Sequence, residues 1–91
     1  MNLVILDFRN SKEENKREKV MECIRKHCGE LALEHALFGE NRNVYEVLLM
    51  GKELPEFEWE YGRKRVTPIQ AGMEKTLLSY FVKSASIFVC Q

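Results

Sequence analysis

The stretch EFEWEYGRKRV, residues 56–66, places Phe57, Trp59 and Tyr61 at alternate positions, with Glu56, Glu58 and Glu60 between them. A period of two cannot give a helix one apolar side, since residues two apart on a helix face different ways. On extended backbone it puts the rings on one face and the carboxylates on the other. The chain must therefore hold extended structure with an apolar layer beneath it. Gly62-Arg63 has the residue types of a two-residue turn with glycine first, so 56–61 is predicted to form a hairpin with 64–66. In that register Trp59 faces Val66 and Glu60 faces Arg65.

Residues 2–8 form an apolar run ending at Asp7-Phe8, the pattern of a central strand buried on both faces. Ser11 and Glu14 have capping-box spacing, which predicts a helix from about Lys12 to Cys28 that stops at Gly29. Val20, Met21, Ile24 and Cys28 supply its apolar stripe, while KEENKREK is polar all round and should project beyond the core. Glu13 with Arg17, and Glu22 with Lys26, have the four-residue spacing of helical ion pairs.

Residues 31–39, LALEHALFG, contain helix formers, but their position between a helix and a turn points to a strand. That strand is expected to form a hairpin with VYEVLLM at 44–50 across GENRN. Thr67-Pro68-Ile69-Gln70 combines a capping-box spacing with proline at the first helical position. It predicts a second helix to about Lys83, lined by Ile69, Met73, Leu77, Tyr80 and Phe81, with Gly72 as its weakest position. SIFVC at 86–90 reads as a closing strand. The element order gives an α+β fold, a ferredoxin-like sandwich with a mixed or antiparallel sheet and two helices on one face.

At 91 residues the chain is expected to be a single compact domain, 1–91. Hydrophobic residues at 45% and charged residues at 31% are ordinary for a globular protein. Fourteen basic and fourteen acidic side chains balance, which disfavours a uniform field drawing in nucleic acid or an anionic membrane and removes the self-repulsion that keeps monomers apart. LVILDF is too short for a signal-peptide core, and no segment approaches the roughly 20 apolar residues that span a bilayer. Three cysteines do not suggest a disulfide framework, so a reducing cytoplasm is expected.

Cys23 and His27 share a helix face at ligand spacing, with Cys28 and His35 near in sequence, but no second ligand pair follows. The core reading of Cys23 is therefore favoured, and no metal or cofactor is expected. No nucleophile elbow or glycine-rich phosphate loop is present in the sequence. Arg63, Lys64 and Arg65 beside Trp59 and Tyr61 have the types that clamp phosphate and stack a base, yet the three glutamates place like charge against a nucleic-acid backbone.

Asp7 ends the first strand, where acidic residues can hold a divalent ion. ILDF, a basic helix containing KREKV, Gly29 and ALFGE at 36–40 together resemble the small CRISPR-associated Cas2 proteins over about the first 40 residues, with matches at Asp7, Arg17 and Phe38. The resemblance implies a ferredoxin-like dimer with Asp7 at a metal and Arg17 near phosphate. The later half, with its acidic aromatic stretch and long second helix, departs from that pattern.

The favoured expectation is a small non-enzymatic protein-interaction module of inhibitor, immunity or adaptor type. It would bind a protein partner or a second copy of itself through Glu56, Glu58, Trp59, Glu60, Tyr61, Arg63, Lys64 and Arg65, or through a sheet edge. The alternative is a Cas2-like nucleic-acid-binding dimer or metal-dependent nuclease acting through Asp7.

Overall fold

The computed structural model describes residues 1–50, 54–69 and 86–88. Five strands, β1 (Asn2–Asp7), β2 (Leu37–Asn41), β3 (Val44–Leu49), β4 (Lys64–Pro68) and β5 (Ser86–Phe88), form one antiparallel sheet in the order β4-β1-β3-β2-β5. Two helices, α1 (Lys16–Cys28) and α2 (Glu30–His35), lie between β1 and β2 in the chain. The fold is α+β with an antiparallel sheet. Among the described residues, no helix is long and apolar enough to cross a membrane.

Alternation in β1 decides which face of the sheet carries the helices. Val4 and Leu6 are fully buried, and across the ladder they meet Val47 and Tyr45 of β3. Phe38 of β2 lies beside Val47 on the same face. Val20 and Ile24 of α1 and Leu33 of α2 complete this core with Phe8, Leu49, Phe57 and Trp59. The expected helix stripe is confirmed at Val20 and Ile24, with Met21 and Cys28 packed at its margin. The second face is partly apolar as well: Leu48 is fully buried there, while Leu3 and Ile5 are half-buried. β3, rather than β1, is the middle strand.

The first helix starts four residues later than Ser11 and Glu14 predict. Asn15 takes the left-handed conformation (φ 56°) and precedes α1 without a side-chain cap. Residues 10–14 instead form a turn, with the Lys12 N–H donating to Asn10 Oδ1 (3.0 Å) and the Glu13 N–H to the Asn10 carbonyl (3.1 Å). Lysines hold this turn in place. Lys16 Nζ donates to the Ser11 carbonyl and to Asn43 Oδ1 (both 2.8 Å), and Lys19 Nζ donates to the Glu14 carbonyl (2.7 Å) and pairs with Glu13. A segment polar all round has no face to bury, so nothing in the core favours its helical form. The expected charge pairs change accordingly: Arg17 reaches Glu40, and Glu22 pairs with Arg25 (2.7 Å) rather than Lys26.

The segment 31–39 divides instead of forming one strand. Glu30–His35 is helical, with Leu33 buried, and Ala36 at φ −78°, ψ 149° switches the chain into β2. The helix propensity of LALEH prevails where one buried leucine is enough to anchor a short helix. The β2–β3 hairpin forms as expected, across Arg42-Asn43 with Arg42 at φ 57°. Gly29 ends α1 at φ 96°, ψ 165°, a conformation that L side chains rarely adopt.

The 56–61 hairpin does not form. Lys64–Pro68 pairs with β1, so Val66 faces Val4 and Arg65 faces Ile5, in place of Trp59 and Glu60. Thr67 and Pro68 belong to this strand and not to a helix start. The ladder accounts for the proline: the Asp7 N–H donates to the Arg63 carbonyl (3.0 Å) and the Ile69 N–H to the Met1 carbonyl (2.8 Å). Odd-numbered residues of β4 therefore bond to β1 and even-numbered ones present their backbone outward, where Pro68 lacks no inward bond. The rest of the expected second helix, residues 70–83, lies outside the described residues. The closing strand appears as Ser86–Phe88, paired with β2 at the edge opposite β4.

Gly29→Ala should lower stability by about 1–2 kcal/mol, because the added Cβ meets no atom but must hold a positive φ. Urea unfolding followed by circular dichroism measures it; a loss below ~0.3 kcal/mol would contradict the strained conformation.

Candidate functional site

The aromatic residues that alternate in sequence also separate in space, although they form no ladder. Phe57 and Trp59 are buried, Tyr61 is half-buried, and Glu56, Glu58 and Glu60 are exposed. Trp59 crosses Phe8 edge to face (5.3 Å, 81°) and meets Tyr61 (5.0 Å, 64°). Its indole N–H donates to the carbonyl of Asp7 (2.7 Å). Phe57 stacks on His27 of α1 (5.2 Å, 17°), and Lys64 lies over the ring with the ammonium 4.4 Å from its centre and bonded to the Phe57 carbonyl. Of the expected binding residues, Trp59 and Lys64 thus serve mainly the interior, whereas Glu56, Glu58, Glu60, Arg63 and Arg65 face solvent.

Asp7 anchors this segment. Its Oδ1 accepts the Arg63 N–H (2.6 Å), and the Tyr61 carbonyl accepts the Arg9 N–H (2.9 Å). Gly62 passes so close that a Cβ there would collide with the Asp7 carbonyl oxygen and Oδ1 and come within 2.9 Å of its carbonyl carbon. The Asp7 carboxylate thus satisfies a loop amide at a strand end. Among the described residues, no three histidine, cysteine or acidic side chains are grouped as a metal site. Arg17, the expected phosphate contact, binds Glu40 through both carboxylate oxygens (2.9 and 2.6 Å).

Glu40 also accepts the Tyr45 hydroxyl (2.6 Å), so one carboxylate ties α1 to both strands of the β2–β3 hairpin. Hydrogen bonding to Arg17 holds the Glu40 pKa below the usual carboxylate value against partial burial, while burial and the Glu40 carboxylate push the Tyr45 hydroxyl up. Sequence reasoning missed this cluster, because a separation of 23 positions between Arg17 and Glu40 leaves no local spacing to recognise.

A groove of about 460 Å³ runs between α1 and residues 58–61, floored by Trp59, Tyr61, Cys23 and His27. Glu18, Glu22, Glu58 and Glu60 outnumber Lys19 and Lys26 along its walls, making it locally acidic. Lys19 also lies over the Tyr61 ring (5.2 Å). Burial pushes the Cys23 thiol up to about 11, so it remains protonated at neutral pH and reacts as a core thiol. His27 faces the Phe57 ring, not a second ligand set. The basic side chains Arg63 and Arg65 lie beyond the groove, on and beside β4, so acid and base occupy separate neighbouring surfaces.

No family model, no curated protein and no solved structure matches the chain.

Two outcomes follow from these contacts. Trp59→Phe keeps an aromatic ring but removes the donor to Asp7 and part of the indole's bulk, and should cost about 1–3 kcal/mol in urea unfolding. Because folding lowers the Glu40 pKa, its contribution is complete above the unfolded carboxylate value and fades as pH falls through the folded one. Glu40→Gln should therefore destabilise the protein at pH 7 and much less near pH 3; an equal loss at both pH values would contradict the ion-pair assignment.

Proposed function

We propose that this chain is a non-enzymatic protein-interaction module that binds through the β4 edge and the charged surfaces beside it. The carrying observation is that β4 ends the sheet with Arg65, Val66, Thr67 and Pro68 all exposed. An edge strand offers a row of backbone donors and acceptors to an incoming strand, and its side chains select the partner. Arg63 and Arg65 on one side and the acidic groove on the other supply charge complementarity to a protein of mixed sign; the groove's carboxylates repel a nucleic-acid backbone. β1 and β2 run in the same direction with β3 between them, joined through α1, and β4 lies outside β1. This arrangement supports a ferredoxin-like layout.

The Cas2-like reading draws its support from the strand order. Its proposed metal residue Asp7 and phosphate residue Arg17 are engaged in folding contacts, so it ranks second. Divalent-ion-dependent cleavage that disappears in Asp7→Asn would reverse that ranking.

The test is affinity capture on immobilised protein, comparing the wild type with Arg63→Glu/Arg65→Glu, which spares the Lys64 contact to Phe57. A partner held by the wild type and recovered about tenfold less by a variant of unchanged circular dichroism is the expected result. Undiminished recovery would overturn the assignment to this edge.

A further inference from the structure

The backbone pattern of β4 limits what can pair with it. Because Arg63, Arg65 and Thr67 bond inward to β1, only Lys64, Val66 and Pro68 turn their backbone groups outward, and Pro68 offers a carbonyl but no N–H. Among the described residues, no backbone group pairs with this outer side. Val66 is 37% exposed, an apolar side chain on an edge that stays unpaired among the described residues, with Lys64, Arg65 and Pro68 beside it.

We infer that the edge takes a second copy of this chain, β4 against β4 in antiparallel register, with the two-fold axis through Val66. This deepens the interaction-module reading and rests on it. The choice of register follows from the residues. An axis at Lys64 sets two ammoniums opposite one another, and one at Arg65 does the same with two guanidiniums, both destabilising for directly opposed strand residues. An axis at Thr67 leaves only the Val66 N–H to bond the Pro68 carbonyl of the other copy, and its twin. An axis at Pro68 has no donor at the centre.

At Val66 the two valines exchange both N–H···O=C bonds, and each Lys64 N–H reaches the Pro68 carbonyl of the second copy. Arg65 then lies opposite Thr67, and no like charges oppose. Such an isologous contact joins the two sheets into one, with both helical layers on the same side. The balanced total charge adds no long-range repulsion.

The experiment is light scattering of the reduced 91-residue chain from about 10 µM to about 1 mM, alone and without any added partner. The wild type should move from monomer to dimer mass across this range. Val66→Pro removes only an outward N–H and should remain monomeric with unchanged circular dichroism. Thr67→Glu, placing an acid opposite Arg65 of the second copy twice over, should tighten the dimer about three- to tenfold, and Thr67→Lys should weaken it by a similar factor. A wild type that remains monomeric overturns self-pairing while the capture comparison still decides whether the edge binds another protein. A dimer indifferent to both Val66→Pro and the Thr67 pair overturns the register and the use of this edge together.

Discussion

Asp7 is the point on which the arrangement of the chain's second half depends. Its carbonyl receives the Trp59 indole, its carboxylate receives the Arg63 amide, and its own N–H donates to the Arg63 carbonyl. These bonds set residues 59–63 across the end of β1, so the chain must run back beside that strand and not beside 57–61. Gly62 allows the approach because any side chain would collide with Asp7. A residue type that suggests metal chemistry at a strand end here directs the path of the backbone.

The charged residues follow the same logic. Arg17, the most conspicuous cation for a phosphate, is bound bidentately by Glu40, and Glu40 in turn holds Tyr45, so α1 is fastened to the β2–β3 hairpin. Lys16 and Lys19 satisfy carbonyls of the turn before α1, and Lys64 covers Phe57. Among the described residues, the exposed charge includes the acidic groove and, apart from it, Arg63 and Arg65 at the β4 edge. Separated blocks of opposite sign on a neutral molecule give an interface orientation and selectivity rather than general stickiness.

Elements with a strong local signal were legible in the sequence. The run at 2–8, the stripe on α1 with its stop at Gly29, the β2–β3 hairpin and the closing strand all appear at or near the expected positions. The misreadings share a cause. Ser11 and Glu14 have the spacing of a cap, but the turn is held by lysines further along the chain; Thr67-Pro68 has the composition of a helix start, but the open side of β1 recruits it as a strand. LALEH was ambiguous because propensity and position disagreed, and the burial of Leu33 decided for helix. At the candidate site, the exposure of Glu56, Glu58, Glu60, Arg63 and Arg65 and the inward face of the rings were readable from alternation and composition, whereas the Trp59 bond to Asp7 and the inward duty of Lys64 were not.

The sequence by itself determined that this is a small α+β chain of balanced charge, with a sheet, an amphipathic helix and a row of rings facing away from a row of carboxylates, since period and composition are local properties. Only the tertiary structure decided which strands meet. Pairing satisfies backbone donors and acceptors that every residue carries alike, so the choice of β1 over 57–61 as the partner of β4 rests on long-range contacts at Asp7 and Gly62. The same choice turns Val66 and Pro68 to the outer edge, where the backbone can meet another chain.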